Sequence, residues 1–476
     1  MVFALFNFLT LNNFVLKRYT YQIKYNIMEF SHTKVALKDK LYHIEQEIID
    51  QYINDKPNRV WIVGFSGGKD STLLLQLVWQ AIKKLPVSEK KRPIYVVCND
   101  TLVENPHIVS FIYDTLSKIE SAAQKDKMPI KVVRTVPKLA DTFWVKLIGL
   151  GYPAPNKFFR WCTDRLKINP TTRFIKEVIK ATGGAIILLG TRSDESATRA
   201  ASIKKHEIKG SRLRSHSLPN AYIYAPIKDV TTDELWRYLL QVPPPWGGTH
   251  RQLAALYKNA NGGDCPLVID TSTPSCGQSR FGCWVCTVVK RDKSMEGLID
   301  TGESWMQPLL EIRDFLIETR DNPEKWRMKK GRNGSEREGK WGPYKFETRV
   351  EILRRLLIAQ KELSKVDPNI NLISDRELAI IQHHWYKDLF FNVKVSDIYR
   401  EVLQKEFFMS KHDEKLKEEL ELLLEVCQDA EKVKLIENLL KLYRSKTLYL
   451  RKRNILNEFE DLINKNINLQ EQEEEE

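Results

Sequence analysis

The chain of 476 residues has a hydrophobic content of 42% and a formal net charge of +13. This length leaves room for two or three domains, and the hydrophobic fraction supports a packed core, so a disordered protein is excluded. The positive charge favours a polyanionic partner of unspecified kind. Four of the seven cysteines share one short window, which argues against a secreted disulfide framework and predicts a metal or redox site in the cytoplasm.

The N-terminal residues are apolar, but they lack the basic segment and cleavage site of a signal peptide. The apolar stretch is also too short to span a bilayer, so no membrane association is expected. Met28 precedes a more ordinary beginning. Residues 1–33 are predicted to be an N-terminal extension, of which residues 1–27 would come from a mis-assigned start, with a terminal strand or helix as the alternative.

The most informative motif is Ser66–Ser71, which follows the apolar run Trp61–Phe65 and precedes an amphipathic helix. Its glycines let the backbone approach an anion, the helix N-terminus adds N–H groups, and Lys69 adds a positive charge. The order of strand, loop and helix predicts a phosphate cradle, although its spacing is not the Walker pattern. A glycine-rich turn without function is the alternative.

Strands and helices alternate along the first half of the chain. A helix is predicted at residues 34–57 and another at His107–Ser121, and strands are predicted at Trp61–Phe65, Pro93–Asn99, Ile130–Val136, Ala185–Gly190 and Tyr222–Ala225. This alternation is typical of an α/β fold, a parallel twisted sheet with helices on both faces. Ligands of such sheets bind beyond the carboxyl ends of the strands, which brings Ser66–Ser71, Asp100, Thr101 and Thr191–Ser196 to one crevice.

Cys162 lies among three cations, Arg160, Arg165 and Lys167, just before a helix near Pro170. Neighbouring cations lower the pKa of a thiol, and a thiolate is the nucleophile of sulfur chemistry. The pattern makes Cys162 a candidate catalytic residue, with a buried inert thiol as the alternative.

The sheet domain is predicted to end after a helix that the capping box Thr231–Glu234 starts and three prolines at 243–245 close. Beyond it, ten, six and two residues separate four cysteines, namely Cys265, Cys276, Cys283 and Cys286. Four thiolates hold zinc or an iron–sulfur cluster, and the single close pair favours the cluster slightly. Disulfides are a third option, and Cys98 and Cys427 are predicted core residues.

Basic residues cluster at 204–214 and at Lys325–Lys345, where tryptophan and tyrosine interleave with them. Cations for phosphates and aromatic rings for bases suit nucleic acid, so the candidate DNA contacts are Arg327, Lys329, Lys330 and Arg332. Glycines in the same stretch make a solvated loop an equal alternative.

The last third of the chain is charged and helix-forming. Ser374 and Glu377 predict a capping box for a helix at Leu378–Phe391, and amphipathic runs follow from Lys411 to Leu462. The predicted domains are therefore an extension at 1–33, the sheet domain at 34–245, a four-cysteine segment at 246–300, a helix with a basic loop at 301–365, a helical region at 366–465 and a disordered acidic tail at 466–476.

Three segments carry a resemblance to known families. Ser66–Ser71 resembles the SGGxDS loop of the PP-loop ATP pyrophosphatases, which cleave ATP between its α and β phosphates and adenylate an acceptor. The stretch Phe159–Lys167 and the series Arg192–Arg199 resemble the phosphoadenylylsulfate reductase branch of that superfamily. With Gln278–Met295 included, residues 30–365 resemble the DndC family, the sulfurtransferases of bacterial DNA phosphorothioation systems.

The DndC resemblance implies a cytoplasmic sulfurtransferase that hydrolyses ATP to AMP and pyrophosphate in the presence of Mg²⁺. It also implies a [4Fe–4S] cluster on the four clustered cysteines. A cysteine desulfurase and the other Dnd proteins would be its partners, and sulfur would replace a non-bridging oxygen of DNA, delivered by Cys162 or by the cluster. Lys69 and Asp70 would serve in catalysis, with Asp70 near the metal ion, and the implied ATP-binding residues are Ser66, Gly67, Gly68, Lys69, Asp70, Ser71, Asp100, Arg192 and Glu195.

Two other enzymes share the PP-loop sheet, a sulfonucleotide reductase and a tRNA thiolase. The reductases use a catalytic cysteine in a C-terminal tail, and this chain has none after Cys427. A nucleic-acid-binding scaffold with structural ATP and cluster is the alternative of another class.

Overall fold

The computed structural model describes residues 36–195, 197–206, 208, 211–259, 282–331, 341–388 and 390–407, with single positions at 435, 436 and 439. The described residues form two compact units. Unit 1 takes the described parts of Met1–Asn99, His107–Thr135 and Thr171–Phe281, and unit 2 those of Asp100–Pro106, Val136–Pro170 and Gly282–Glu476. This grouping follows spatial contacts, and the domain boundaries proposed from the sequence stay a prediction.

Unit 1 contains a six-stranded sheet with the strand order β3-β2-β1-β4-β6-β5. The strands are β1 (Val60–Gly64), β2 (Ile94–Asn99), β3 (Ile130–Thr135), β4 (Ala185–Leu188), β5 (Leu213–Ser215) and β6 (Ala221–Tyr224). Every neighbouring pair is parallel except β5 and β6, which are antiparallel. The predicted α/β fold is confirmed. Only β5 was not predicted, since it has three residues and no buried side chain.

Helices cover both faces of this sheet. They are α1 (36–54), α2 (Lys69–Lys83), α3 (Pro106–Lys125), α4 (Asn169–Thr182), α5 (Ala197–His206), α6 (Thr232–Gln241) and α7 (Arg251–Asn259). Trp61 and Val63 of β1 pack with α2 in one core. Val60 and Ile62 point to the opposite face and pack with α4. This alternation along a strand is what burial on two faces requires.

Unit 2 is helical, with a core rich in tryptophan. Its helices are α8 (Lys293–Asp300), α9 (Gln307–Asp321), α10 (Pro323–Trp326), α11 (Phe346–Val366), α12 (Asp375–Lys387) and α13 (Val395–Leu403). Two wide π-helical turns, Val145–Gly149 and Thr163–Ile168, belong to the same unit. Trp385 donates a hydrogen bond to the carbonyl of Ile148 at 3.0 Å, which ties α12 to the first of these turns.

Both predicted capping boxes are present. The Thr231 hydroxyl accepts from the N–H of Glu234, whose carboxylate accepts from the N–H of Thr231, and Ser374 and Glu377 repeat the pattern at α12. Helix α12 ends at Lys387, earlier than predicted, because Phe390 leaves the helix and stacks on Phe346 at 3.9 Å. The helical runs predicted between Lys411 and Leu462 lie outside the described residues.

In the part of the chain that the structure describes, no helix combines the length and the apolar character needed to cross a membrane. Cys98 is buried in β2, as predicted. Cys427 lies outside the described residues.

Candidate functional site

The glycine-rich loop between β1 and α2 is closed by its two serines. The Ser71 hydroxyl accepts from the N–H of Ser66 at 3.2 Å and donates to the carbonyl of Gly68 at 3.0 Å. Gly68 is the N-cap of α2, and no side chain caps the helix. The open helix N-terminus therefore faces the loop that was predicted to cradle phosphate.

Two glycines allow this loop to form. Gly67 has a φ of +72°, a region that side chains with a Cβ adopt at a cost, and a Cβ there would lie 2.7 Å from Cγ1 of Ile112. Gly190 follows β4, and a Cβ on it would lie 2.8 Å from the carbonyl oxygen of Asp70. The first turn of α2 thus packs directly against the backbone at Gly190.

Asp70 is held by Arg192 across the carboxyl ends of β1 and β4. Nε of Arg192 lies 2.6 Å from Oδ1 of Asp70, and Nζ of Lys69 lies 3.4 Å from Oδ2. The guanidinium of Arg192 also donates to the carbonyl of Val230 at 2.9 Å and to the hydroxyl of Thr232 at 3.2 Å. Arg192 is fully buried and therefore positions the Asp70 carboxylate. Its predicted contact with ATP stays a prediction.

The loop after β4 is fastened to the start of α6. The Asp194 carboxylate accepts hydrogen bonds from the backbone N–H and the hydroxyl of Thr232, at 2.7 and 2.8 Å. Burial alone would raise the pKa of Asp194, but these bonds and Arg192 lower it. Glu195 is half-buried on the same loop. The buried hydroxyl of Thr191 has no hydrogen-bond partner among the described residues, which leaves one polar group for a ligand.

Tyr257 of α7 contacts the glycine-rich loop Ser66–Ser71 and was not predicted. Its hydroxyl accepts a hydrogen bond from the N–H of Lys69 at 3.3 Å, and Nζ of Lys69 lies 4.8 Å from the ring centroid. Burial raises the pKa of Tyr257, so the hydroxyl is neutral. Only the fold brings Tyr257 to Lys69, 188 positions apart, so no local sequence signal marks it.

In unit 2, the Cys283–Cys286 segment forms a tight turn. The N–H of Cys286 donates to the carbonyl of Cys283 at 3.0 Å, and the N–H of Trp284 donates to the carbonyl of Val103 at 3.0 Å. The buried Arg313 donates to the carbonyl of Cys286 at 3.0 Å. Thr101 places its hydroxyl 3.4 Å from Sγ of Cys283.

Cys162 lies beside this turn, in the same unit. Burial, together with the nearby Cys283 and Cys286, raises the pKa of Cys162 to about 11. The predicted lowering of this pKa is therefore wrong. Of the flanking cations, Arg165 forms an ion pair with Asp141 at 3.5 Å, and Arg160 is exposed. Neither cation therefore offsets the effect of burial on the pKa of the thiol.

Glu104 and Lys167 complete the surroundings of the three thiols. Burial raises the pKa of Glu104 to about 7, against the opposing charge of Lys167. For Lys167, burial favours the neutral form, but Cys283, Glu104 and the other two thiols raise its pKa. A positive charge is thus kept next to the sulfur atoms. The sequence pattern around Cys162 included Lys167 but gave no signal for Glu104.

The donor set of this turn fits half of a four-cysteine cluster, because two thiols stand at Cys-x-x-Cys spacing in a partly buried setting. The other two predicted ligands, Cys265 and Cys276, lie outside the described residues. Within the described ranges, no group of three or more histidine, cysteine or carboxylate side chains is arranged to hold a metal ion.

The remaining predicted residues have other surroundings. Asp100 belongs to unit 2, where its carboxylate accepts from the N–H of Leu102 at 2.9 Å. Arg327 donates to the carbonyls of Gly342 and Trp341 at 2.8 and 2.5 Å, so it closes the base of the basic loop. Lys329 and Lys330 are exposed. Arg332 lies outside the described residues, and DNA binding by these four residues stays a prediction.

Together, the six-stranded sheet and the glycine-rich loop at the uncapped start of α2 form an α/β domain. Residues 61–289 match the family model of the phosphoadenosine phosphosulfate reductase domain. Residues 61–289 are therefore similar to a phosphoadenosine phosphosulfate reductase domain.

One curated protein matches about half of the chain. An uncharacterized protein of Methanocaldococcus jannaschii is 26% identical over 236 residues, which are 50% of this chain and 38% of that protein. The chain thus spans well under half the length of the curated relative that it matches.

Two solved structures of other proteins match part of this chain. The phosphoadenylyl-sulfate reductase of Candida auris, in its phosphate complex, covers 42% of this chain and 81% of its own at 15% identity and a TM-score of 0.27. The FMN adenylyltransferase of Candida glabrata, with FAD and inorganic pyrophosphate, covers 50% and 71% at 13% identity and a TM-score of 0.28.

Proposed function

We propose that this protein is an ATP-dependent sulfurtransferase that modifies DNA by replacing a non-bridging phosphate oxygen with sulfur. The observation that carries the proposal is the cluster of three thiols in unit 2. There, Cys162 lies beside the Cys283–Cys286 turn and Lys167. The same chain carries a phosphate loop in a domain of the phosphoadenosine phosphosulfate reductase type. Activation of an oxygen by ATP and delivery of sulfur by a thiol are the two halves of one reaction.

The phosphate loop serves the first half. A phosphodiester oxygen is a poor leaving group, and its attack on the α phosphorus of ATP, with release of pyrophosphate, converts it into AMP. The N–H groups at the start of α2 and the Lys69 charge would bind the triphosphate, and the carboxylate of Asp70, oriented by Arg192, would hold a Mg²⁺ ion that neutralises phosphate charge. Neutralising these phosphate charges is the main task of such a site.

Cys162 serves the second half as a persulfide loaded by a cysteine desulfurase. Its terminal sulfur attacks the adenylated phosphorus and AMP departs. An external thiol reductant then attacks Sγ of Cys162, which releases the phosphorothioate on DNA and leaves a disulfide between Cys162 and the reductant. The charge of Lys167 stabilises the anionic sulfur that this sequence requires.

Cys283 and Cys286 would hold a [4Fe–4S] cluster together with Cys265 and Cys276. When bound, the cluster supplies sulfide-bridged iron that holds or passes sulfur. The other Dnd proteins would act as partners, and the cytoplasm is the compartment in which such thiols stay reduced.

The products of ATP hydrolysis test the first half. With DNA present, the protein is expected to release AMP and pyrophosphate, and Asp70→Asn is expected to lower this rate at least about 100-fold, as the loss of one charge-stabilising group does. Asn keeps the hydrogen bond to Arg192, so the variant stays folded. Asp233→Asn on the exposed face of α6, where Asp233 pairs with Arg237 at 2.8 Å, is the control. Release of orthophosphate instead of pyrophosphate would rule out the proposal.

The family description of the domain supports a second candidate, a sulfonucleotide reductase. This enzyme would release sulfite from a sulfonucleotide in the presence of a thiol reductant and would need no DNA. Sulfite formation without AMP-forming hydrolysis would therefore favour the reductase.

A further inference from the structure

The segment before Cys162 presents an unusually exposed aromatic side chain. Phe158 is 99% exposed, more than any other large apolar side chain in the described ranges, and its neighbour Phe159 is 44% exposed. Large aromatic side chains stabilise a fold or an interface most when they are buried, so a fully solvated one calls for an explanation.

The backbone around Phe158 is held firmly. The Asn156 side chain accepts hydrogen bonds from the N–H groups of Phe158 and Phe159, both at 2.8 Å. The ring of Phe159 stacks on Tyr152, with centroids 6.4 Å apart and planes 13° apart. Tyr152 in turn contacts Trp161 edge to face at 5.5 Å.

The loop is also anchored to the core of unit 2. Three side chains bond to its backbone: the Tyr344 hydroxyl accepts from the N–H of Ala154 at 2.9 Å, Thr287 donates to the carbonyl of Pro155 at 2.6 Å, and Trp161 donates to the carbonyl of Pro153 at 2.9 Å. The exposure of Phe158 is therefore a fixed feature of the folded unit and does not come from a loose chain.

Two cations lie close to Phe158 in the sequence. Lys157 and Arg160 are both exposed, and neither is paired with a carboxylate in the part of the chain that the structure describes. The nearby Arg165 differs, because it forms an ion pair with Asp141. One aromatic face between two uncompensated cations is the pattern with which proteins hold single-stranded nucleic acid, whose bases stack and whose phosphates pair. A purely apolar partner would leave both charges without a counterpart.

We propose that Lys157–Arg160 is a platform for single-stranded DNA, in which one base stacks on Phe158 while phosphates on either side pair with Lys157 and Arg160. Four residues of backbone, at most about 14 Å, separate Phe158 from Cys162. The platform holds the sugar-phosphate chain within reach of the thiol that receives sulfur. It rests on the proposed function and requires local opening of the duplex.

Binding of a fluorescent single-stranded oligonucleotide, followed by anisotropy, tests the stacking. Phe158→Ala is expected to weaken binding at least about fivefold, and Phe158→Trp is expected to retain it. Tyr42, 55% exposed in unit 1, provides the control Tyr42→Ala, which is expected to bind as the wild type does. An oligonucleotide containing 5-iododeoxyuridine is expected to cross-link to the peptide that contains Phe158.

The two cations are tested through salt dependence. Removing both charges in Lys157→Gln/Arg160→Gln is expected to reduce the slope of log affinity against log salt by about 0.7 for each phosphate that the protein no longer neutralises. Lys91→Gln, at an exposed lysine of unit 1, is the control and leaves the slope unchanged.

The outcomes separate the platform from the proposed function. Unchanged affinity in Phe158→Ala and no cross-link to the Phe158 peptide in the wild type, with phosphorothioate still formed, would overturn the platform and leave the proposed function standing. A wild-type protein that binds transfer RNA and no DNA would overturn both.

Discussion

Single residues show how burial decides the chemistry of this chain. Sequence neighbours predicted a low pKa for Cys162, whereas burial and two neighbouring thiols raise it to about 11. The cations occupy adjacent positions in the sequence, but burial depends on residues more than a hundred positions away. Tyr257, which contacts Lys69, was missed for the same reason.

His250 illustrates the same effect in unit 1 and predicts a pH dependence. The Gln76 amide nitrogen donates to the carbonyls of Val242 and Pro243, so its oxygen faces Nε2 of His250 at 2.8 Å and accepts a hydrogen bond from it. Burial lowers the pKa of His250 to about 4, so the ring is neutral at pH 7. Protonation would place a positive charge in this buried position.

The stability from a neutral buried histidine is fully present above pH 6.5 and is lost as the pH falls toward 4, because only the unfolded chain binds the proton in that window. The maximal loss is about 3 kcal/mol. We expect the urea midpoint of the wild type to fall more steeply between pH 7 and 5 than that of His250→Gln. His43→Gln, at an exposed histidine, is the control. Parallel pH profiles for wild type and His250→Gln would contradict the assignment.

At the scale of elements, local sequence patterns predicted most of unit 1. The five parallel strands and both capping boxes follow from apolar runs and from side chains three residues apart, which are local properties. Helix α12 ended early because Phe390 packs on Phe346, a contact between distant segments. The Arg192–Asp70 ion pair also escaped prediction, since it depends on how β4 and α2 meet.

The close approach of β4 and α2 makes Gly190 a sharp test of the phosphate loop. A Cβ at Gly190 would overlap the backbone of Asp70, so Gly190→Ala is expected to displace the start of α2 and weaken ATP binding at least about tenfold, or about 1.4 kcal/mol. Gly64→Ala is the matched control, because a Cβ there meets its nearest atom at an ordinary 3.5 Å. Calorimetric titration with ATP measures both variants. Equal affinities would show that this packing does not shape the site.

For the whole molecule, the four clustered cysteines predict a metal content. Protein purified without oxygen is expected to be brown and to hold about four iron and four sulfide per chain. Cys286→Ser is expected to lose the metal, while Cys98→Ala, in β2 of the other unit, keeps it. Stoichiometric zinc without labile sulfide would replace the cluster by a structural zinc site.

The central claim is the transfer of sulfur to DNA, and the product tests it most directly. In cells that hold the other proteins of such a pathway, nuclease-digested DNA examined by mass spectrometry is expected to contain phosphorothioate dinucleotides with the wild-type chain. With Cys162→Ser, these products are expected to disappear although the iron content is kept. Thiolated tRNA nucleosides without any phosphorothioate in DNA, or phosphorothioate at the wild-type level with Cys162→Ser, would contradict the account.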